Sequence, residues 1–296
     1  MKPQYILELI ALAAIWGASF LFMRTTTPEF GPFALIEMRT LLAALFLLPL
    51  LFYFKGFAAL RANWFAILIL GLVNTAIPFC LFSYSTVLLG AGYASIINAT
   101  APMFGALVAF LWLKDNLSYF AVAGLFVGLL GVMTLSLSRH SSFNEMALLP
   151  LFAALLATFF YGVAACFAKQ KLSGVNSLAI ATGSQCFSAL LLAPLSVVYW
   201  PDTNPSLSAW LQLAVLGIVG TGFAYILYFR LIANVGAAKA ITVAYLVPVF
   251  GVLWGMIFLD EVLSSGMLGG AALILVGVSM TTGIIKYRTK LVVKTP

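Results

Sequence analysis

"VAYLVPVFG", residues 243–251, and "INATAPMFG", residues 97–105, are apolar stretches that each carry a proline followed three residues later by a glycine. The two prolines, Pro102 and Pro248, are 248 − 102 = 146 residues apart. Proline removes an intrahelical hydrogen bond and kinks a helix. In lipid, the freed carbonyl then needs a partner from a neighbouring helix or a cavity. Such a recurrent, unfavourable feature suggests that the chain contains the same structure twice.

The composition predicts an integral membrane protein. Of its 296 residues, 64% are hydrophobic and 8% are charged, whereas a soluble domain carries about 25% charged residues. A membrane β-barrel would need segments of roughly ten residues that alternate apolar and polar side chains. Here the apolar runs are long and unbroken, which favours helices. We therefore predict an all-α membrane protein with almost no domain outside the bilayer.

The residues that most often hold metals or cofactors are few and dispersed. The single histidine, His140, lies in a polar loop, and Cys80, Cys166 and Cys186 lie in apolar runs without a pairing pattern. Such cysteines behave as small buried hydrophobes. We therefore expect no metal and no cofactor. The net charge of +7 is typical of membrane topology signals, so we expect no nucleic-acid partner.

Helices that cross about 30 Å of hydrocarbon need about 20 residues each. Breaks at charged residues and at Gly, Pro and Asn clusters predict ten spans. The predicted spans are residues 5–23, 32–54, 64–87, 93–113, 117–138, 147–168, 177–199, 209–230, 238–258 and 265–285.

The basic residues predict the orientation of these spans. With the N-terminus inside, twelve lysines and arginines fall in inner loops and two in outer loops, and cytoplasmic loops carry such an excess. Both termini are therefore expected in the cytoplasm. The inner residues are Lys2, Lys55, Arg61, Lys114, Lys169, Lys171, Arg230, Lys239, Lys286, Arg288, Lys290 and Lys294, and the outer ones are Arg24 and Arg139.

The chain also aligns with itself. A shift of 146 residues needs no gap between Trp64 and Gly131, and before that region the shift is 145; residues related in this way are called equivalent positions. We predict two repeats, residues 1–143 and 144–296, with five spans each. Because five is odd, the second repeat crosses the membrane in the opposite sense, and inverted repeats of this kind enclose a substrate site near the bilayer midplane. Equivalent pairs include Gly17/Gly162, Arg24/Lys169, Pro49/Pro194, Trp64/Trp210, Gly71/Gly217, Thr75/Thr221, Gly90/Gly236, Gly105/Gly251, Asp115/Glu261, Gly124/Gly270 and Gly131/Gly277.

The recurrent prolines and glycines predict a hinge in each repeat. Pro102 and Gly105 lie in span four, and Pro248 and Gly251 lie in span nine. A hinge on each side of a central cavity would allow alternating access. The alternative is a static packing kink, because Pro and Gly are common in membrane helices.

Polar side chains in the middle of the spans are candidates for a central cavity, because polar groups facing lipid are costly. Aromatic and amide groups dominate, which suits a small zwitterion with an apolar or aromatic side chain. The alternative is hydrogen bonding between helices. The candidate cavity residues are Trp16, Asn74, Tyr84, Asn98, Tyr161, Gln185, Tyr225, Tyr245 and Arg39.

Arg39 is the most specific of these candidates. It lies about seven residues, or roughly 10 Å, into span two, where it could pair with a substrate carboxylate. The alternatives are an internal salt bridge or a side chain that reaches outward to the interface. Glu37 is a poor partner, because residues two apart lie on different helix faces.

The residues named so far resemble a known family. "AIWGASF" in the first span, Arg39 in the second, "GAGYASIINATAPMFGALVAFLWLKD" and "GAAKAITVAYLVPVFGVLWGMIFLDE" are similar to the drug/metabolite transporter superfamily, EamA branch. The resemblance implies a ten-helix exporter of small metabolites in the bacterial inner membrane, most similar to the YddG-type amino acid exporters. One departure is Lys114-Asp115, where the family usually has Gly-Glu; Asp260-Glu261 keeps the glutamate.

We therefore expect a secondary transporter that exports amino acids, including apolar and aromatic ones. Purines, cationic drugs and sugar derivatives are alternative substrates. An intramembrane enzyme would need paired carboxylates, a histidine cluster or an activated nucleophile, and a passive channel would need a charged ring or a carbonyl filter. The sequence contains neither pattern. The lack of carboxylates among the candidates favours a weakly coupled carrier or a uniporter, and the oligomeric state is left open.

Overall fold

Seven helices are long and apolar enough to cross a membrane within residues 2–137 and 148–284, the part of the chain that the computed structural model describes. Two shorter apolar helices follow them, and every regular element in this part is helical. The helices are α1 (Pro3–Tyr53), the short α2 (Phe57–Ala62), α3 (Trp64–Leu89), α4 (Ala91–Leu113), α5 (Tyr119–Leu137), α6 (Leu148–Lys171), α7 (Ser177–Val198), α8 (Leu207–Val235), the short α9 (Ala237–Ala240), α10 (Val243–Leu259) and α11 (Ser265–Thr281).

Helix α1 is two helical segments joined at Gly31. Its 51 residues would extend about 77 Å as one rod, more than twice the thickness of a bilayer core. Gly31 has φ 72° and ψ 161°, which lie outside the helical region, and glycine adopts a positive φ without a steric penalty. The break lies one residue before the predicted start of span two. The first segment continues past residue 23, where the sequence predicted its end, so Arg24 is helical.

Helices α3 and α8 each contain a π-helical turn, at Leu72–Ala76 and Ile218–Phe223. The two turns begin at equivalent positions, since 218 − 72 = 146. Single π-helical turns are rare and often occur at functional sites. They contain the buried hydroxyl groups of Thr75 and Thr221, so the most irregular backbone of these helices coincides with their polar midpoints.

The prolines of the predicted hinges occupy different local structures. In α4 a turn at residues 99–100 interrupts the helix, and Pro102 lies in the first turn of the segment that follows. A proline is favourable there, because its missing N–H would have no intrahelical partner. Pro248 instead lies inside α10, and the corresponding interruption is at residues 241–242. Two similar sequences therefore adopt different local structures around their prolines.

Helices α5 and α11 pack through glycines. A Cβ atom at Gly124 would lie 2.7 Å from the Gly277 carbonyl oxygen, and one at Gly270 would lie 2.9 Å from the Gly131 carbonyl oxygen. The two contacts join equivalent positions, since 124 + 146 = 270 and 131 + 146 = 277. Small residues of this kind let membrane helices approach closely. These glycines therefore serve the packing of two helices within the chain.

The predicted repeat boundary at residues 143 and 144 lies outside the described residues. So do His140, Arg139 and the basic residues from Lys286 onward.

Candidate functional site

Two glycines pack the first segment of α1 and helix α6 against the predicted hinges. A Cβ atom at Gly17 would lie 2.8 Å from the backbone nitrogen of Gly251. A Cβ atom at Gly162 would lie at the same distance, 2.8 Å, from the backbone nitrogen of Gly105. Gly17 and Gly162 are equivalent, as are Gly105 and Gly251. The contact between α1 and α10 is thus repeated between α6 and α4.

Two aromatic pairs also lie at equivalent positions of the two repeats. The ring centroids of Trp16 and Tyr228 are 5.3 Å apart, and those of Tyr161 and Phe82 are 6.1 Å apart. Trp16 is equivalent to Tyr161 (16 + 145) and Phe82 to Tyr228 (82 + 146). Ring pairs at these distances attract one another beyond the effect of burial. Both Trp16 and Tyr161 remain partly exposed, so each can also contact a ligand.

Arg39 lies in the interior, with only 4% of its surface exposed. Its Nε donates a hydrogen bond of 2.9 Å to Thr221 Oγ1, and Nη1 lies 3.6 Å from the sulfur of Met23. The guanidinium carbon is 4.0 Å from the centroid of the Phe79 ring, a distance typical of cation–π contacts. Neutral groups therefore hold this cation.

No carboxylate in the described part of the chain pairs with Arg39. The ion pairs there are Lys169–Asp115, at 3.0 Å, and Arg230–Glu8, at 3.1 Å. Glu37 is buried two positions away, and its Oε2 has no hydrogen-bond partner within these described ranges. The internal salt bridge considered as an alternative for Arg39 is thus absent from residues 2–137 and 148–284. An uncompensated charge at membrane depth is expensive, so this site favours an anionic ligand.

The position equivalent to Arg39 is Ser184, since 39 + 145 = 184. The two backbones are packed alike: a Cβ at Gly217 would lie 3.0 Å from the Arg39 carbonyl oxygen, and one at Gly71 would lie 2.8 Å from that of Ser184. Ser184 Oγ is buried without a hydrogen-bond partner among the described residues, whereas Thr75, the equivalent of Thr221, lies beside Tyr225. One half therefore supplies a guanidinium where the other half supplies a serine hydroxyl group.

Tyr161 and Tyr225 are near enough to Arg39 to interact with it electrostatically. Tyr225, in turn, lies beside Asn74. We call Arg39 and its neighbours the Arg39 group; its members are Arg39, Met23, Phe79, Tyr161, Thr221, Tyr225 and Asn74.

The structure separates the remaining predicted cavity residues. Gln185 is fully buried next to Ser184, and both of its side-chain polar atoms lack a hydrogen-bond partner among the residues that the structure describes. Tyr245 instead exchanges a hydrogen bond of 2.8 Å with Thr282, beyond the end of α11. Tyr84 and Asn98 are half-buried, and the described contacts do not connect them with Arg39.

The sequence did not single out Phe79, Met23 or Ser184. The repeat register contains the signal for two of them, because Phe79 is equivalent to Tyr225 and Ser184 to Arg39. Met23 carries no such signal, since its contact depends on how the first segment of α1 packs.

Comparisons with known proteins agree on one family. The sequence profile of the EamA-like transporter family matches residues 4–137 and 148–283. An uncharacterized transporter of Archaeoglobus fulgidus is 24% identical over 287 residues, which are 94% of this chain and 98% of the relative. The uncharacterized transporter YoaV of Bacillus subtilis is 22% identical over 282 residues, 94% of this chain and 97% of the relative.

Two further similarities concern the substrate and the fold. A probable terminal-alkyne amino-acid exporter of Streptantibioticus cattleyicolor is 26% identical over 203 residues, 68% of this chain and 67% of the relative. One solved crystal structure has a TM-score of 0.69 at 18% identity and covers 97% of this chain and 100% of its own. At that identity the likeness establishes the fold alone.

Proposed function

Because the chain belongs to the EamA-like transporter family, we propose that it exports amino acids, including apolar and aromatic ones, from the cytoplasm by alternating access. The chain is a multi-pass membrane transporter of small molecules, not an enzyme. The direction of transport and the substrate class are the new part of the proposal. The observation that carries it is the buried guanidinium of Arg39, which is surrounded by aromatic rings and has no carboxylate partner among the described residues.

The proposed topology has ten crossings in two inverted repeats. Helix α1 is broken at Gly31 and provides two crossings. The other six long helices provide one crossing each, and the two shorter apolar helices provide the last two. Contacts that recur at equivalent positions support the repeats, as does the match of the family profile to two successive segments. The excess of basic residues supports the proposal that both termini lie in the cytoplasm, and the family supports the proposed location in a bacterial inner membrane.

The proposed substrate site is the Arg39 group. A guanidinium binds a carboxylate through charge-assisted hydrogen bonds. The hydrogen-bond partners of Arg39 in the described part of the chain are neutral, so a carboxylate would compensate its charge. Because the equivalent position is Ser184, the site has one cation and suits a substrate with one carboxylate. Asn74 and the tyrosine hydroxyl groups supply uncharged hydrogen-bonding partners for an ammonium group.

The partly exposed rings of the aromatic pairs are proposed to bind the substrate side chain. These rings, from both halves of the chain, are those of Trp16, Tyr161 and Tyr228, and the buried Phe82 packs against Tyr161. Rings accommodate apolar and aromatic side chains without a requirement for one exact shape. The similarity to a probable amino-acid exporter supports this substrate class. Gln185, Tyr84, Asn98 and Tyr245 stay predictions for the cavity lining.

Counterflow in proteoliposomes tests the proposal. Liposomes that contain the purified chain are loaded with unlabelled phenylalanine, and the uptake of labelled phenylalanine is measured against competitors. We expect saturable uptake that leucine reduces and that 2-phenylethylamine, which lacks the carboxylate, leaves unchanged. Competition by purines or sugar phosphates but not by amino acids would reject the substrate class. The absence of saturable counterflow with all of them would reject the transport proposal.

A further inference from the structure

Glu261 ties the end of α10 to the start of α4. Its Oε1 accepts a hydrogen bond of 2.6 Å from the Ala91 backbone N–H, and its Oε2 accepts one of 2.9 Å from that of Gly92. Arg24 donates a hydrogen bond to the Val87 carbonyl oxygen, in the last turn of α3. An acid and a base thus hold the same hairpin, residues 87–92. We call this side of the protein the Glu261 end.

The equivalent acid at the opposite end, Asp115, has a different partner. The same backbone turn presents both acids: Lys114 and Asp260 adopt φ 57° and 52°. Asp115 accepts from Lys169 Nζ at 3.0 Å, with the two side chains about half exposed or more (49% and 65%). Lys169 is the residue equivalent to Arg24, since 24 + 145 = 169. At the Asp115 end the acid and the base therefore bind each other, while at the Glu261 end each binds the hairpin.

The hairpins at the two ends differ in the same way. A Cβ atom at Gly90 would lie 2.7 Å from Glu261 Oε1, whereas one at the equivalent Gly236 would have no atom of residues 2–137 or 148–284 within 4 Å. One turn further on, Ser95 is fully buried, but Ile241, its equivalent (95 + 146), is 52% exposed. The halves of α4 and α10 near Glu261 are thus packed together, and the equivalent contact at the Asp115 end is open.

We propose that Glu261 and Asp115 are the latches of two alternating gates. When a gate opens, its carboxylate exchanges backbone N–H groups for the basic residue at the same end of the protein, which is Arg24 for Glu261 and Lys169 for Asp115. This inference rests on the proposed function, because inverted repeats exchange their conformations during transport. In the opposite state Asp115 binds the backbone N–H groups that follow Gly236, Lys169 binds the end of α8, and Glu261 pairs with Arg24. With the Asp115 end in the cytoplasm, the present structure is open to the cytoplasm.

The exchange suits a carrier because it keeps the two states close in free energy. Each latch uses charge-assisted hydrogen bonds to the backbone, and each released latch forms an exposed ion pair, which contributes little. Opening one gate while closing the other therefore makes and breaks the same kinds of contact. A substrate can shift such an equilibrium through a modest difference in its affinity for the two states.

Cysteine labelling tests the latches in the full-length chain reconstituted in liposomes. Cys80, Cys166 and Cys186 are first replaced by alanine, and Ser95→Cys or Ile241→Cys is added as a reporter that reacts with N-ethylmaleimide. Glu261→Gln weakens the closed gate at its end, so we expect Ser95→Cys to be labelled about tenfold faster. This factor corresponds to the stabilisation lost when a hydrogen bond to a charged group becomes a neutral one. Labelling of Ile241→Cys should fall. Asp115→Asn should slow the labelling of Ser95→Cys.

The double variant Glu261→Gln/Asp115→Asn separates a latch from a folding defect. If the two latches oppose each other, both labelling rates in the double variant return toward those of the parent. If the two substitutions are folding defects, their effects on the labelling rates add. Rates that change in the same direction in the two single variants, or that do not change, overturn the latch proposal. Phenylalanine counterflow in the same liposomes tests the proposed function separately: intact counterflow with unresponsive reporters rejects only the latches, and opposite labelling shifts without counterflow reject only the substrate assignment.

Discussion

Arg39 Nε donates a hydrogen bond of 2.9 Å to Thr221 Oγ1, and this contact joins residues 182 positions apart in the chain. Arg39 belongs to the first predicted repeat and Thr221 to the second. Its guanidinium therefore lies where the two halves meet, over the Phe79 ring. Ser184 occupies the position equivalent to Arg39. The first repeat therefore contributes a cation where the second contributes a neutral serine, although the backbone is packed alike at both positions.

Removal of that charge should reduce transport. We expect Arg39→Gln to lower phenylalanine counterflow at least tenfold, because about 1.5–3 kcal/mol is lost with a hydrogen bond to a charged group. Arg39→Lys should be intermediate, since an ammonium keeps the charge but lacks the planar fork. Arg61→Gln is the matched control, because Arg61 is an exposed arginine outside the Arg39 group. Full counterflow by Arg39→Gln would assign Arg39 a structural role only.

The aromatic pairs should matter for transport more than for folding. Trp16→Ala and Tyr161→Ala each remove one ring from an equivalent pair, and a pair contributes about 0.5–1.5 kcal/mol beyond burial. We expect each variant to reach the membrane in normal amounts and to lose about threefold to tenfold in counterflow of phenylalanine. Tyr119→Ala serves as the control, because Tyr119 is 97% exposed. Equal rates for all three variants would contradict the proposed side-chain pocket.

The glycine contact of α5 and α11 predicts that substitutions at two adjacent glycines differ in their effect on the stability of the protein. A methyl group at Gly270 would lie 2.9 Å from the Gly131 carbonyl oxygen, whereas at Gly269 the nearest atom is 3.9 Å away. Gly270→Ala should therefore lower the free energy of unfolding by about 1–3 kcal/mol, and Gly269→Ala should have little effect. Thermal unfolding of the purified chain in detergent measures both. Similar midpoints for the two variants would show that the helices separate at little cost.

The two prolines should differ in their effect on the exchange between states. Pro248 lies inside α10, so Pro248→Ala adds an N–H that can restore a helical hydrogen bond and stiffen the kink. Pro102 lies in a first turn, where alanine changes little. We expect Pro248→Ala to slow the response of the Ile241→Cys reporter to added substrate, and Pro102→Ala to slow it less. A larger effect of Pro102→Ala would instead place the hinge at the turn of residues 99–100.

Much of the architecture could be predicted because the bilayer permits few structures. A chain with 8% charged residues and unbroken apolar runs has to satisfy its backbone within helices, and every regular element in the described part is a helix. The membership of the EamA-like family was also predicted from motifs such as "AIWGASF" and is confirmed. The end of the first helical segment was predicted too early, because Arg24 looked like a loop residue and its contact with Val87 is not visible in sequence.

The helical class, the family and the register that relates Gly17 to Gly162 and Asp115 to Glu261 follow from side-chain chemistry and spacing, so they could be inferred without a structure. The neutral partners of Arg39, and the different partners of Glu261 and Asp115, became known from the packing of the chain. These contacts join residues far apart in the chain, and equivalent sequences pack differently when their surroundings differ.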